Sequence, residues 1–267
     1  MTTTTTTAPA AGAVAPRQHP AVRRPSLLRL TAVELRKLVD TRAGRWLLIT
    51  IGLVTAVIVT LQLIYAKDAD QTFLNFFVPS LLPVSVLLPV LGILSITSEW
   101  SQRTALTTYA LVPRRERVIG AKLIAVLLTA LASVLASLAV AAVGTLVASA
   151  TGGAGTWQFD WSLLLNAAIL QVASVLMGAA FGLLLLNPPL AIVGYLLLPT
   201  LWAVLGEMVR PLRGPSGWLD TNKTMEPLFS SDALTGEQWG RMAVSLLVWM
   251  VLPLAVGLVR TLRREVS

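Results

Sequence analysis

The sequence predicts an all-α membrane protein of six transmembrane helices, preceded by a short amphipathic helix at the membrane surface. Three observations carry this. Of 267 residues, 55% are apolar and only 13% charged. That is about half the charged share of an ordinary soluble domain, too little to cover a water-facing surface of this size. Several uncharged apolar runs reach the roughly 18 residues that read as a bilayer span rather than a core helix. The positive residues, net +8, flank those runs, which points to orientation in a membrane and away from a nucleic-acid partner. Zero Cys excludes disulfides, thiolate catalysis and Cys-held metal. The one histidine, His19, lies in the tail, so no imidazole chemistry is expected inside the membrane.

Residues 1–25, "MTTTTTTAPAAGAVAPRQHPAVRRP", are rich in Thr, Ala and Pro and lack an apolar period. They read as a disordered cytosolic tail, and no apolar h-region makes them a signal peptide. Residues 26–45 follow as a basic interfacial helix. At 100° per residue Leu27, Leu28, Thr31, Ala32, Leu35, Leu38 and Val39 share one arc, with Arg29, Arg36, Lys37 and Asp40 opposite and Leu30 and Val33 as exceptions. The six spans are expected at 46–66, 76–97, 113–150, 161–186, 190–206 and 242–259. The first, 21 residues, gives roughly 31 Å of helix, enough to cross hydrocarbon. The second holds Pro79, Pro83 and Pro89, a kinked helix that neighbours must complete. The third starts near Pro113 and is long enough for its first turns to stand clear of the bilayer. Residues 207–241 read as a partly folded outer loop.

Orientation follows from Lys and Arg. With the N-terminus inside, the cytosolic side receives eight up to Arg45, five from Arg103 to Lys122 and three from Arg260 onward, 16 of 21. "LLLLNPPLAI", 183–192, has no charge to vote with. Were it not a turn, a helix of about 46 residues would result, far too long for a bilayer, and Asn-Pro-Pro is a strong breaker. Both termini, including 260–267, are therefore placed in the cytosol.

The stretch "SEWSQRTALTTYALVPRRERVIGAK", 98–122, breaks this apolar chain with Glu99, Arg103, Arg114, Arg115, Glu116, Arg117 and Lys122. Ser98 is a plausible N-cap, Glu99 and Arg103 stand at i,i+4, and Trp100, Leu106 and Tyr109 give apolar anchors. A short cytosolic helix over 98–112, able to dock a soluble partner, is the expectation. Glu99 as an intramembrane proton acid is the lesser reading, because Ser98, Ser101, Gln102 and Arg103 surround it.

An interfacial helix with "VELRKLVDTR", six spans, the loop "SEW…RTALTTYALVPRRERVIGAKL" after span two and a closing "LPLAVGLVRTLRRE" resemble the membrane subunits of ABC-2-type transporters. The resemblance covers most of 27–267. It implies a permease, paired as a dimer in a bacterial inner membrane, driven by a separate ATP-binding subunit that holds ATP and Mg. It further implies that the loop after span two is the coupling helix, with Glu99, Trp100, Arg103, Leu106, Tyr109, Arg114 and Arg115 as the residues facing the ATPase. Substrate would pass between the two copies, with export the expected direction. No cofactor or catalytic residue is expected in this chain, since no G-x-x-x-x-G-K-[ST] occurs and "GGAGTW" at 152–157 lacks the Lys.

Two small-residue faces admit close helix approach. One is Thr129, Ser133, Ser137, Ala141, Thr145 and Ser149; the other is Ser174, Gly178 and Gly182. They read as packing within a subunit or as a dimer seam. Gln62, Asn166 and Gln171 lie at membrane depth and read as interhelical hydrogen-bond groups or substrate contacts, and Glu207 with Arg210 and Arg213 as a solvated or paired rim. The rival readings are a non-transporting scaffold or sensor docked to an ATPase, an ion-driven carrier and an intramembrane enzyme. The carrier would need buried acids and the enzyme His or paired acids at depth, and the sequence shows neither.

Overall fold

The computed structural model describes residues 26–102, 104 and 114–263. Among these there is no strand. Helix α1 (Leu27–Asp40) leads into α2 (Arg42–Tyr65), α3 (Phe73–Ser101), α4 (Arg115–Thr151), α5 (Trp161–Leu185) and α6 (Pro188–Met208). Short helices α7 (Arg213–Leu219) and α8 (Thr221–Met225), flanked by 3-10 turns, follow. Then α9 (Gly236–Leu246) runs through a π-helical turn (Leu247–Val251) into α10 (Leu252–Arg263). Six of these helices, counting α9–α10 as one, are long and apolar enough to cross a membrane.

The helix ends lie where local chemistry puts them. Ser26 caps α1 and Thr41 caps α2, each hydroxyl accepting a main-chain N–H. Leu186 adopts a left-handed conformation at φ 51° and Asn187 caps the next helix, whose first two residues are Pro188 and Pro189. The Asn-Pro-Pro break is thus a turn between two helices, as its breakers require. The last helix begins at Gly236 rather than at Met242, because Thr235 and Gln238 form a capping box that starts it earlier. The segment before it is helical in short pieces over 210–229.

Helix α5 is the centre of the bundle: two thirds of its apolar window, 67%, is buried against 11% for α2. It lies closest to α3. A Cβ on Gly178 would meet the Pro89 carbonyl oxygen at 2.5 Å, one on Gly182 would meet Ile93, and one on Gly92 would meet the Val175 carbonyl oxygen at 3.0 Å. Gly178 and Gly182 of the 174–178–182 face therefore pack inside the subunit, on α3. Helix α3 continues unbroken through Pro79, Pro83 and Pro89. Proline at 79 frees the carbonyl of Asn75, and Gln62 of α2 donates to that oxygen at 2.7 Å. Asn166 donates to Ser230 O at 3.0 Å and Gln171 to Leu81 O at 3.4 Å. All three amides bond to the main chain of another segment, each worth on the order of 0.6–2 kcal/mol in a bilayer.

Exposed aromatic residues collect at the two ends. Trp46 stands near the end that carries α1, here termed the base, and Tyr65, Trp157 and Trp161 near the opposite rim. There Phe73 stacks on Trp157, and Phe159 meets Trp161 edge to face. Such belts sit at membrane–water boundaries.

Candidate functional site

The base of the bundle holds four ionised side chains that the sequence scatters over 89 positions, Glu34, Lys37, Glu99 and Lys122. Glu34 and Lys37 are one turn apart on α1, Glu99 sits in the last turn of α3, and Lys122 in the second turn of α4. Lys122 Nζ is 2.8 Å from Glu34 Oε2 and 3.2 Å from Glu99 Oε1, and it donates to the Ser95 carbonyl oxygen at 3.0 Å. Two of the ammonium's three N–H donors thus go to Glu34 and Ser95, while Glu99 stands at ion-pair distance. Lys37 Nζ donates to Glu34 Oε1 at 2.7 Å and to Glu99 Oε1 at 2.9 Å.

Glu34, Glu99 and Lys122 are 6%, 7% and 4% exposed, whereas the Lys37 side chain keeps 45% of its surface in solvent. Two carboxylates and two ammoniums sum to zero, the condition under which buried charge is tolerated. Burial alone would lower the Lys37 pKa, but hydrogen bonds to Glu34 and Glu99 outweigh it and hold the ammonium above its ordinary value. A base whose pKa rises on folding contributes stability that is complete below the unfolded value, near 10.4, and is lost as pH climbs through the folded one. Melting temperature in detergent is therefore expected to be insensitive to this group between pH 6 and 9 and to fall above roughly pH 10.5. Lys37→Met should remove the Lys37 share of that alkaline fall. An identical fall in the variant would refute the assignment.

The quartet corrects three expectations. Glu99 is not solvated: its partners are Lys37 and Lys122, and its expected partner Arg103, with Leu106 and Tyr109, lies outside the described residues. Ser98 starts no helix, because α3 runs through it to Ser101, whose main chain continues the span. Buried acids do exist, at Glu34 and Glu99, yet at the base and neutralised by lysines rather than at mid-depth. Of the remaining coupling residues, Trp100 is half-buried in the last turn of α3, Arg114 is exposed, and Arg115 Nη1 donates to Thr261 O at 3.3 Å, tying α4 to α10.

On the face of α1, Thr31, Glu34 and Leu38 are buried while Leu28 and Val39 are exposed, so the docked stripe is the edge of the apolar arc. Glu34 is the residue sequence reading missed. It stands between Thr31 and Leu38 in the helix period, an acid in the middle of a buried stripe, and such an acid needs a partner.

Two further hollows matter. A cavity of roughly 600 Å³ lies between α3, α5 and α6 beneath α8, with Val86, Ser174, Tyr195 and Thr200 along its walls and Lys223 and Glu226 at its rim end. Lys223 is paired there with Glu207. A second, of roughly 300 Å³, lies between α2, α3 and α4 and is lined by Gly52, Thr55, Ser133 and Ser137. Ser137 and Ala141 are buried and Ser133 half-buried. No group of three or more metal-binding side chains occurs among the described residues. No protein-family model matches the chain, and no curated protein matches it.

Proposed function

We propose that this chain is the permease subunit of an ABC-2-type ATP-driven transporter, an exporter that takes its energy from a separate ATP-binding subunit. One observation carries the reading: the ion quartet joins α1 to both helices that flank the charged 102–114 segment. A segment that only linked two spans would have no need of buried charge at both of its ends and on a third helix. The reading is further supported by six span-length apolar helices and a cavity open along α3 and α6. It also accounts for the charged stretch in a chain whose 267 residues hold no phosphate-binding loop. In this reading the base faces the cytosol, α1 lies along the inner leaflet, two copies pair, and residues 98–115 dock the ATPase.

The chain has no Cys, so single cysteines report cleanly. Thr104→Cys is expected to react with a membrane-impermeant maleimide in inside-out vesicles and to be protected in intact cells. A photo-crosslinker at position 106 is expected to capture an ATP-binding protein, and proteoliposomes holding both are expected to show ATP-dependent flux. Labelling from outside intact cells, or flux with no ATP-binding companion, would overturn the reading. Capture without flux would favour a docked scaffold. The buried carboxylates give one reason to keep an ion-driven carrier as a second reading: flux that follows a proton gradient and ignores ATP would establish it.

A further inference from the structure

The cavity between α3, α5 and α6 has the features of a built site. Its back wall is α5, where Leu170, Ser174 and Met177 are all buried. Its open side lies between α3 and α6, where Leu82, Val86 and Leu196 line it and are exposed at the bundle surface. In a bilayer that side faces lipid, so a ligand reaches the cavity from the hydrocarbon. Roughly 600 Å³ lies within the range of sites that take drug-sized molecules.

Three hydroxyls mark the interior. Ser174, Tyr195 and Thr221 come from three different helices, line the cavity and are each more than nine-tenths buried. None of these hydroxyls has a hydrogen-bond partner among the described residues. Ser85 and Thr200, on the same walls, instead return their hydroxyls to carbonyls of their own helices, Leu82 O and Leu196 O. A buried hydroxyl without a partner is costly, and three around one hollow call for a ligand that carries hydrogen-bonding groups.

The rim end of the cavity sets the sign of charge. Lys223 is held by Glu207 and has Asp220 4.0 Å away, so its ammonium is already balanced. Glu226 is exposed and forms no ion pair among the described residues. Phe229 ends the 3-10 turn that Glu226 begins, and both line the cavity. A free carboxylate and an aromatic ring at one mouth favour a cation. Beyond that turn lies a second hollow of roughly 560 Å³, which shares Lys223, Glu226 and Phe229 and adds Asp232, Gln238 and Arg241. The turn thus stands between the membrane cavity and a polar surface.

We propose that this cavity binds a lipophilic cation drawn from the bilayer. Its apolar body lies between α3 and α6, its hydrogen-bonding groups meet Ser174, Tyr195 and Thr221, and its positive charge rests at Glu226 and Phe229. That the bound cation is the exported substrate rests on the permease reading. The binding itself does not, and can be measured with no ATPase present.

The test uses the full chain in lipid nanodiscs and two dyes, with the signal of empty nanodiscs subtracted. Rhodamine 6G is a lipophilic cation that carries an ester; fluorescein ethyl ester has the same ring system and ester but is an anion. Fluorescence anisotropy is expected to show saturable binding of the cation and none of the anion. Thr200→Trp puts a large ring at an exposed position on the cavity wall and is expected to weaken rhodamine binding about tenfold or more. Glu226→Gln, also at an exposed position, is expected to weaken it about threefold. Tyr195→Phe, which removes only the hydroxyl, is expected to weaken it by a similar factor of about three. Unchanged melting of each variant shows that the fold is kept. Rhodamine binding that survives Thr200→Trp at full strength would place the dye elsewhere and overturn the site. Tighter binding of the anion, lost in Lys223→Met, would overturn the assigned charge. Should the cavity bind neither dye while ATP-dependent flux is still found, the permease reading stands; should it bind the cation with no flux and no ATPase captured, that reading falls alone.

Discussion

Lys122→Met is expected to strip most folded protein from the membrane, a loss of about 3–5 kcal/mol. Three acceptors depend on this one ammonium, the carboxylates of Glu34 and Glu99 and the carbonyl of Ser95. Without it, two carboxylates that are almost fully buried share only Lys37, whose side chain is 45% exposed. The penalty is that of orphaned charge, larger than the net worth of the interaction, because the two acids, 6% and 7% exposed, are largely withdrawn from solvent. The measurement is the monodisperse fraction and the melting temperature of detergent-solubilised protein. Adding Glu34→Gln and Glu99→Gln should recover most of the loss, since both sides of the pairing are then neutral. Glu207→Gln, which breaks a pair with side chains 65% and 47% exposed, should leave melting unchanged. A Lys122→Met protein that melts with the parent would show that the quartet does not hold the base together.

That contrast explains how much of the molecule could be read in advance. A span announces itself by length and by lack of charge, and these are properties of one segment at a time. Hence the six helices were legible, as was the break at Asn187, where two prolines remove two donors in succession. The base was not, because its four charges come from three segments, and helix periodicity reports only which residues share a face, never which face meets which. Glu99 illustrates the limit. Its i,i+4 spacing to Arg103 described a helix of its own, whereas α3 extends to Ser101 and turns Glu99 inward. The available signal lay in residues out of place. Glu34 falls between Thr31 and Leu38, and Lys122 between Val118, Ile119, Ala125 and Val126, all of them buried. A charge centred on a buried stripe of a helix calls for a buried partner of opposite sign, and two such stripes with opposite signs could have been matched. The amides were easier: Gln62, Asn166 and Gln171 were recognisable as groups in search of acceptors, though only the fold shows that Gln62 completes the carbonyl released by Pro79.

The second large effect concerns the crossing of α3 and α5. Gly178→Leu is expected to cost about 3 kcal/mol or more and to lower the yield of folded monomer. The new Cβ would lie 2.5 Å from the Pro89 carbonyl oxygen and 2.8 Å from its Cβ, before the remaining leucine carbons are added. Neither obstacle can move aside, for one is main chain and the other belongs to a ring that fixes φ. Relief by sliding is blocked on the same interface, since Gly92 stands against the Val175 carbonyl and Gly182 against Ile93. The helices must separate, and in a bilayer nothing compensates for that: lipid chains are as apolar as the leucines, so close van der Waals contact is what holds spans together. Gly182→Ala, whose Cβ meets its nearest atoms at 3.3 Å, should be felt far less. The readout is melting of the detergent-solubilised chain at several protein concentrations. A seam between two copies would make the damage depend on concentration and spare the monomer. Packing of Gly178 on α3 within one subunit requires a loss that is the same at every dilution.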